Sequence, residues 1–446
     1  MAFPFSPKPP PFTAATLIEG IRTTFREFPD ERRGGNHQRY TLDDAALSAF
    51  SVFFTQSPSF LDYQRRMQRR LGQNNAQSLF GVHRIPSDNQ IRNLLDPVPP
   101  ETLVAVFVEI GEGLYHNGYL QSFRPIGNTL LVAFDGTEYF ASQKLGGDCC
   151  SHRTLSNGAT QHSHVALTPA IVAPGQATVV PLAPEFVGPQ DGQDKQDGEL
   201  AAAGRRLARW SRRYVPWGIT VLGDDLYSHQ PFRQAIRDHG FHFLFVCHPD
   251  SHPTLYEWEA DFDRPGHVRT LVKTRWTGKE RLIDTYRYVR QVPLRDSDDA
   301  LLVNWCELTT TTMTGQVVYT NAWVTSHPIA DDTVVALVAA GRSRWKIENE
   351  NNNILKTKGY HFEHNYGHGR RHLAAVLATM IVLAYLCHTV LDWMDERYRA
   401  VRAILPSRRT FFEHLRALLQ YLPFAGWDQL MAFMLDALEP VAVNSG

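Results

Sequence analysis

A chain of 446 residues is too long for one small core, so two or three domains are expected. Its 43% hydrophobic and 11% aromatic content excludes a disordered polymer and supplies sizeable buried cores. A net charge of −1 excludes binding to polyanions through overall positive charge, so any nucleic-acid contact must rest on segregated basic clusters.

Residues 1–120 read as a helical N-terminal domain. The Pro-rich start, Met1 to Phe12, has no charged leader followed by an apolar run, and no signal peptide is expected. Thr41-Leu42-Asp43-Asp44 has the form of a capping box that opens a helix through Phe54. A basic cluster follows at Arg65, Arg66, Arg69 and Arg70. Ser87-Asp88-Asn89-Gln90 opens a helix through Leu95, closed by the break Pro97-Val98-Pro99-Pro100, and a third helix is expected from Glu101 to Tyr115. Short helices with arginines between them suit a module that binds DNA ends and suit a plain helical subdomain equally.

The pattern changes within 121–249. Thr129–Phe134 is an apolar strand ending in Asp135, and Val165–Ala173 and Thr178–Leu182 read as a hairpin joined by Pro174-Gly175-Gln176. A helix over Gly198–Tyr214 carries a second basic cluster, Arg205, Arg206, Arg209, Arg212 and Arg213, with Trp210 and Tyr214 among them. The plainer reading of such a cluster is a solvated helix face. Next come a strand at Ile219–Gly223 ending in Asp224, a helix near Pro231–His239, and a strand at His242–Cys247.

Residues 250–328 are rich in Val, Thr, Tyr and Trp and read as a mostly β insertion. Helices resume near Asp331 in the segment 329–395 and continue through 396–446 to about Leu435, with a third basic cluster at Arg397, Arg399, Arg402, Arg408 and Arg409. The apolar run Leu373–Cys387 falls short of the roughly 20 residues that span a bilayer, so a buried core helix and no membrane contact are expected. Five cysteines (Cys149, Cys150, Cys247, Cys306, Cys387), two of them adjacent and two in apolar runs, point to reduced, cytoplasmic usage.

Three acids stand where a metal-dependent phosphoryl-transfer site needs them. Asp135 and Asp224 each end a buried strand, half out of the core, and Glu348 lies in the helix-like stretch Arg344-Trp345-Lys346-Ile347-Glu348. Two strand-tip carboxylates and one helix carboxylate can hold two Mg²⁺ ions in an all-oxygen environment, which points to phosphodiester chemistry. On a regular helix Arg344, Asn351 and Asn352 share the side of Glu348, and Lys356 can reach toward it, so the face joins a carboxylate ligand with phosphate-binding cations. Glu350, the rival ligand, lies roughly 200° around the helix. The plainer reading of this face is an exposed ion pair.

These residues together resemble a DDE transposase of bacterial insertion sequences, in the group with a β-rich insertion before the last acid and a Tyr-x2-Arg-x3-Glu-x6-Lys signature. Arg344 and Glu348 match that spacing, Gly341 stands in place of Tyr, and Lys356 comes one residue late. Asp224-Asp225-Leu226-Tyr227 matches the group's Asp-x-Gly-Tyr/Phe motif with Leu226 in place of Gly, which favours Asp224 over Asp225. The resemblance covers about residues 128–395. It implies a ribonuclease H-like α/β core with a mostly β insertion, preceded and followed by helical segments, with Asp135 and Asp224 on neighbouring strands. It also implies catalytic and metal roles for Asp135, Asp224 and Glu348, with two Mg²⁺ ions and Mn²⁺ as a substitute. Arg344, Lys356 and Trp345 are the expected DNA contacts; for Trp345, packing into the core is favoured over stacking on a flipped base. The implied partners are double-stranded DNA and a second copy of the chain on that DNA, at the nucleoid of a bacterial cytoplasm. The implied activity is cleavage at transposon ends followed by 3′-hydroxyl strand transfer. The competing readings are a ribonuclease H-like nuclease without strand transfer and a non-catalytic DNA-binding derivative.

A second cluster, Cys149-Cys150-Ser151-His152 with His162 and His164, offers softer ligands that suit Zn²⁺, with Cys150 and His164 as the candidates. A Cys-x-x-Cys pair ending at Cys150 would begin at position 147, which is Gly147. The plainer reading is a polar loop beside a strand.

Overall fold

The computed structural model describes residues 12–32, 39–147, 150–191 and 195–438; the Pro-rich start before residue 12, and Cys149, lie outside them. The helices of the N-terminal part are α1 (Ala14–Arg26), α2 (Leu42–Phe54), α3 (Phe60–Met67), α4 (Arg70–Phe80), α5 (Asp88–Leu95) and α6 (Val104–His116). Thr41 caps α2 by accepting from Asp44 N–H, but the Asp44 carboxylate turns to His83 and Arg84 N–H instead of closing a reciprocal box.

The strands are β1 (Leu130–Ala133), β2 (Gly136–Ser142), β3 (Ser151–Thr154), β4 (Thr160–Leu167), β5 (Ala170–Val172), β6 (Val180–Pro181), β7 (Glu185–Phe186), β8 (Ile219–Gly223), β9 (His242–Val246), β10 (Arg269–Trp276), β11 (Arg281–Pro293), β12 (Leu302–Thr312) and β13 (Val317–Thr325). Between them lie α7 (Lys195–Tyr214), α8 (Gln230–Asp238) and α9 (Pro253–Asp263). The central sheet runs β10-β11-β12-β13-β9-β8-β1-β5-β6. One half of it, β6-β5-β1-β8-β9, has β1, β8 and β9 parallel and β5 antiparallel to β1. This is the ribonuclease H-like order, and every β1 and β8 residue is buried, as a sheet covered on both faces requires.

Two sequence expectations change. Val165–Ala173 is not one strand: it divides at Thr168-Pro169 into β4 and β5. The partner strand divides opposite, at Asp135, so β1–β2 and β4–β5 form one long hairpin bent at that level, where Thr168 N–H donates to the Asp135 carbonyl at 3.1 Å. Pro169 supplies no N–H to the ladder, which favours the break. Beyond it, β2, β3 and β4 form a separate arm in the order β2-β4-β3, with β7 also on β4. The β-rich insertion, for its part, extends the main sheet: β13 pairs antiparallel with β9 through Val324↔Phe245.

The C-terminal helices are α10 (Val334–Arg342), α11 (Asn353–Thr357), α12 (Leu373–Met394), α13 (Glu396–Ile404), α14 (Arg408–Tyr421) and α15 (Trp427–Leu438). The helix α12 is long and apolar enough to cross a membrane, but 89% of that apolar window is buried inside the protein. Here it is the core helix, with Tyr360 Oη 2.8 Å from its buried His388. The two ends of the chain share this core. Asn75 on α4 donates to Leu419 and Leu422 carbonyls, and Trp427 donates to the Leu79 carbonyl at 2.8 Å.

Candidate active site

Parallel pairing decides where the first two acids sit. Ala133 pairs with Leu222, and Phe134 N–H continues the ladder to the Leu222 carbonyl at 2.9 Å. Asp135 and Asp224 each lie two residues past that pair, so an 89-residue separation (224 − 135, the same as 222 − 133) closes to adjacent strand ends on one face of the sheet.

Asp224 and its neighbour Asp225 face different company. Asp224 accepts from Leu226 N–H at 3.0 Å, and its carboxyl is raised above the usual range. Burial is the main cause; Arg344 and the Leu226 N–H oppose it, while Asp225 and Glu348 add to it. Asp225 turns to the other side, where it accepts from His248 N–H at 2.8 Å and lies 3.5 Å from His252 Nε2. Burial pushes Asp225 up, but hydrogen bonds from His252, Ser251 and His248 outweigh it and hold the carboxyl well below the usual range.

Glu348 is near enough to the pair for its charge to act on both aspartates. After α10 the chain passes through a tight turn, Ser343–Trp345, into a π-helix, Ile347–Asn352, and then α11. Inserted π turns recur at functional sites because they re-aim side chains that regular spacing would send elsewhere. Arg344 Nη1 and Glu348 Oε1 lie 2.9 Å apart, with Arg344 buried and Glu348 at 37% side-chain exposure, so the carboxylate keeps an open side. Asn352 Nδ2 donates to Asp135 Oδ2 at 2.8 Å, and Asn352 Oδ1 accepts from Thr168 Oγ1 at 2.7 Å and Asn351 Nδ2 at 3.1 Å. The Glu350 backbone carbonyl accepts from Tyr385 of α12, and the Glu350 charge acts on that tyrosine.

Sequence reasoning missed a fourth acid. Glu199, on α7, is buried, and its carboxyl packs so closely on Gly136 that a Cβ there would lie 2.3 Å from Glu199 Cδ. The residue after Asp135 must therefore lack a side chain for Glu199 to enter; Gly136 was the available signal. Burial pushes Asp135 up to about 7, helped by the Glu348 charge, opposed by Arg344, and helped again by Glu199 and Asp224. Tyr227, the aromatic residue of the Asp-x-x-Tyr motif, packs over Gly223 with its hydroxyl buried and unpartnered. Glu348, Glu199 and Asp224 all raise Asp135, Glu348 also raises Asp224, and Arg344 lowers both aspartates; the carboxylates form an all-oxygen donor set whose repulsion a hard divalent cation would relieve.

The predicted DNA contacts divide. Arg344 borders the acids, with its guanidinium 5.1 Å from the Trp345 ring centroid. Trp345 is 51% exposed, which corrects the expectation of core packing: the turn before the π-helix carries it outward. Lys356 Nζ lies 2.8 Å from Glu363 Oε1 and is engaged there. The second basic cluster is largely neutralised. Arg205, Arg206 and Arg209 all reach Glu185, at 3.1, 3.1 and 2.9 Å, and Arg206 is buried. Trp210 and Tyr214 are core residues. In the third cluster, Arg402 and Arg408 reach Asp392 and Arg409 reaches Glu413. Arg65, Arg69 and Arg70 at the α3–α4 junction are exposed. Cys150 and His164, proposed as soft ligands, come together, and His368 joins them from the loop before α12.

A family model described as "Transposase DDE domain" matches residues 190–387. A search against curated proteins finds no match. The matched region spans β8 with Asp224, the strands β10–β13, and Glu348, and begins 55 residues (190 − 135) after Asp135. Joined to a ribonuclease H-like sheet that sets Asp135 beside Asp224, this match shows a transposase DDE domain over residues 190–387.

Proposed function

We propose that this protein is a DDE transposase that cuts DNA at transposon ends and joins the freed 3′-hydroxyl to target DNA, with Asp135, Asp224 and Glu348 as the metal-binding catalytic acids. The observation that carries the reading is the register of β1 and β8, which levels Asp135 with Asp224, together with the Glu348 charge acting on both. Two Mg²⁺ ions, or Mn²⁺ in their place, would supply Lewis acidity for phosphodiester cleavage and transfer.

The chain's own residues prepare the site. Asp135 holds its proton more tightly than an ordinary carboxyl and gives it up when positive charge enters. Asn352, braced by Thr168 and Asn351, fixes the Asp135 carboxylate through Oδ2. Arg344 draws Glu348 toward the acids and offers positive charge beside a phosphate. Trp345, exposed next to Arg344, offers a ring on which an unpaired base can stack. The substrate is double-stranded DNA, and two ends must be joined, so a homodimer on DNA at the nucleoid is the expected working form.

The test uses duplexes carrying the sequences that bracket the reading frame. Asp135→Asn, Asp224→Asn and Glu348→Gln should each abolish Mg²⁺-dependent cleavage and joining while leaving duplex binding nearly intact. Undiminished cleavage in any one of them removes that residue from the site. Cleavage without joining by the parent protein would reduce the activity to that of a nuclease.

A further inference from the structure

We infer that Cys150, His164 and His368 bind a structural Zn²⁺ ion that ties the β2–β4–β3 arm to the loop preceding α12. The three residues come from separate segments. Cys150 sits just before β3, His164 is in the middle of β4, and His368 lies between α11 and α12, 204 positions (368 − 164) from His164.

The distances suit one ion. Cys150 Sγ lies 3.7 Å from His164 Nε2 and 3.4 Å from His368 Nε2, while His164 Nε2 lies 3.2 Å from His368 Nδ1. With Zn–S near 2.3 Å and Zn–N near 2.0–2.1 Å, tetrahedral ligands are separated by about 3.3–3.6 Å. The observed contacts bracket that range, and one donor atom from each of the three residues lies within 4.8 Å of the other two. The donors are one thiol and two imidazoles with no carboxylate, which selects Zn²⁺ over the hard cations suited to Asp135, Asp224 and Glu348.

The surroundings are prepared for such an ion. Cys150 and His164 are buried and His368 is half-buried, leaving a route for entry from solvent. On binding, the Cys150 thiol gives its proton to solvent and its sulfur lone pair to the metal; no electron is transferred. His368 is also positioned from behind. Asp96 accepts the N–H groups of Arg370, Arg371 and Leu373 with its carboxylate, and that of His372 with its carbonyl. His162, two residues before His164 on the same face of β4 and with a buried, unpartnered Nδ1, can complete the ligand set; otherwise water fills the fourth position.

The consequence is mechanical. β2 and β4 grow directly out of the bend at Asp135 and Thr168, so a tie at the middle of β4 fixes the arm whose root holds the acids. This inference does not depend on the catalytic proposal.

The test is metal content and spectroscopy of the untagged full chain. Zinc by inductively coupled plasma mass spectrometry should be stoichiometric. Co²⁺ added to zinc-stripped protein should give a near-ultraviolet thiolate-to-cobalt band with visible bands of a tetrahedral site. Cys150→Ala should lose both, and Cys306→Ala, a buried thiol on β12, should keep both. His368→Gln, in a loop, covers the case in which Cys150→Ala does not fold; it should lower zinc affinity at least 10-fold. A second soft group, Asp225, Cys247 and His252, provides the contrary outcome. Zinc retained in Cys150→Ala and His368→Gln but lost in Cys247→Ala would overturn the assignment, as would parent protein with no zinc and no cobalt band.

Discussion

The Asn352 carboxamide donates to Asp135 Oδ2 at 2.8 Å across 217 residues of sequence. It is a one-directional brace, since Asn352 spends its oxygen on Thr168 and Asn351. Removing it in Asn352→Ala frees the Asp135 carboxylate to rotate and leaves the buried Thr168 hydroxyl without an acceptor. Loss of such a bracing contact to a metal-binding carboxylate costs about 10–100-fold in metal affinity or activity. Cleavage rates followed over a Mg²⁺ titration should therefore show half-saturation moved to higher Mg²⁺, with duplex binding unchanged. A titration superimposable on that of the parent would dismiss the brace.

The raised Asp135 carboxyl links stability to pH. Unfolded, the group titrates near 3.8; folded, near 7. Below pH 4 both states hold the proton and the folded state suffers no penalty. Between pH 4 and 7 the folded state keeps a proton that the unfolded chain has lost, so stability falls as pH rises, and above pH 8 the loss is complete. Asp135→Asn removes this titration. In metal-free buffer its melting temperature should match the parent near pH 4 and exceed it by several degrees at pH 8, reflecting on the order of a few kcal/mol. Adding Mg²⁺ at pH 8 should raise the parent's melting temperature and leave the variant's little changed. Parallel melting curves for the two proteins across pH would show that Asp135 is not under this strain.

Arg344 lowers the proton affinity of both Asp135 and Asp224 while holding Glu348 at 2.9 Å. In Arg344→Gln both aspartates should hold their protons to higher pH. The pH–rate profile of cleavage should move toward alkaline values, with the rate at neutral pH reduced at least 10-fold. Arg344→Lys keeps the charge but loses the planar fork and the contact with Trp345, so it should restore the profile more than the rate. A profile that stays in place in Arg344→Gln would separate this arginine from the acids.

Much of this arrangement was legible in sequence because it follows from local pattern. Apolar runs ending in Asp135 and Asp224 are buried strands with charged tips, and the order of strands and helices then sets those tips side by side. The rest depends on contacts that spacing does not encode. Val165–Ala173 is apolar apart from Thr168, so only Pro169 marks the break in sequence, and the bend at Asp135 opposite makes it plain. Trp345 reads as core by composition, yet the turn before the π-helix sends it to solvent. Lys356 fits a signature by spacing, but Glu363, seven residues on, takes its ammonium. His368 carries no pattern of its own; only the fold brings it to Cys150 and His164. Glu199 looks like any helical glutamate until α7 is laid against Gly136.

That last contact gives a test in which two substitutions answer each other. A Cβ at position 136 would lie 2.3 to 2.7 Å from the three carboxyl atoms of Glu199, closer than any real contact, so Gly136→Ala must displace that side chain or bend the strand. Overpacking of this kind costs about 1–3 kcal/mol. Glu199→Ala makes room and also removes one of the charges that raise Asp135. Alone it should lower the apparent proton affinity of Asp135; combined with Gly136→Ala, it should recover most of the stability that the glycine substitution loses. Urea unfolding of the two single variants and the double variant closes the cycle, and a coupling of more than about 0.5 kcal/mol is expected for residues in contact. Simple additivity would mean that Glu199 yields freely and that Gly136 is small for some reason other than the carboxylate beside it.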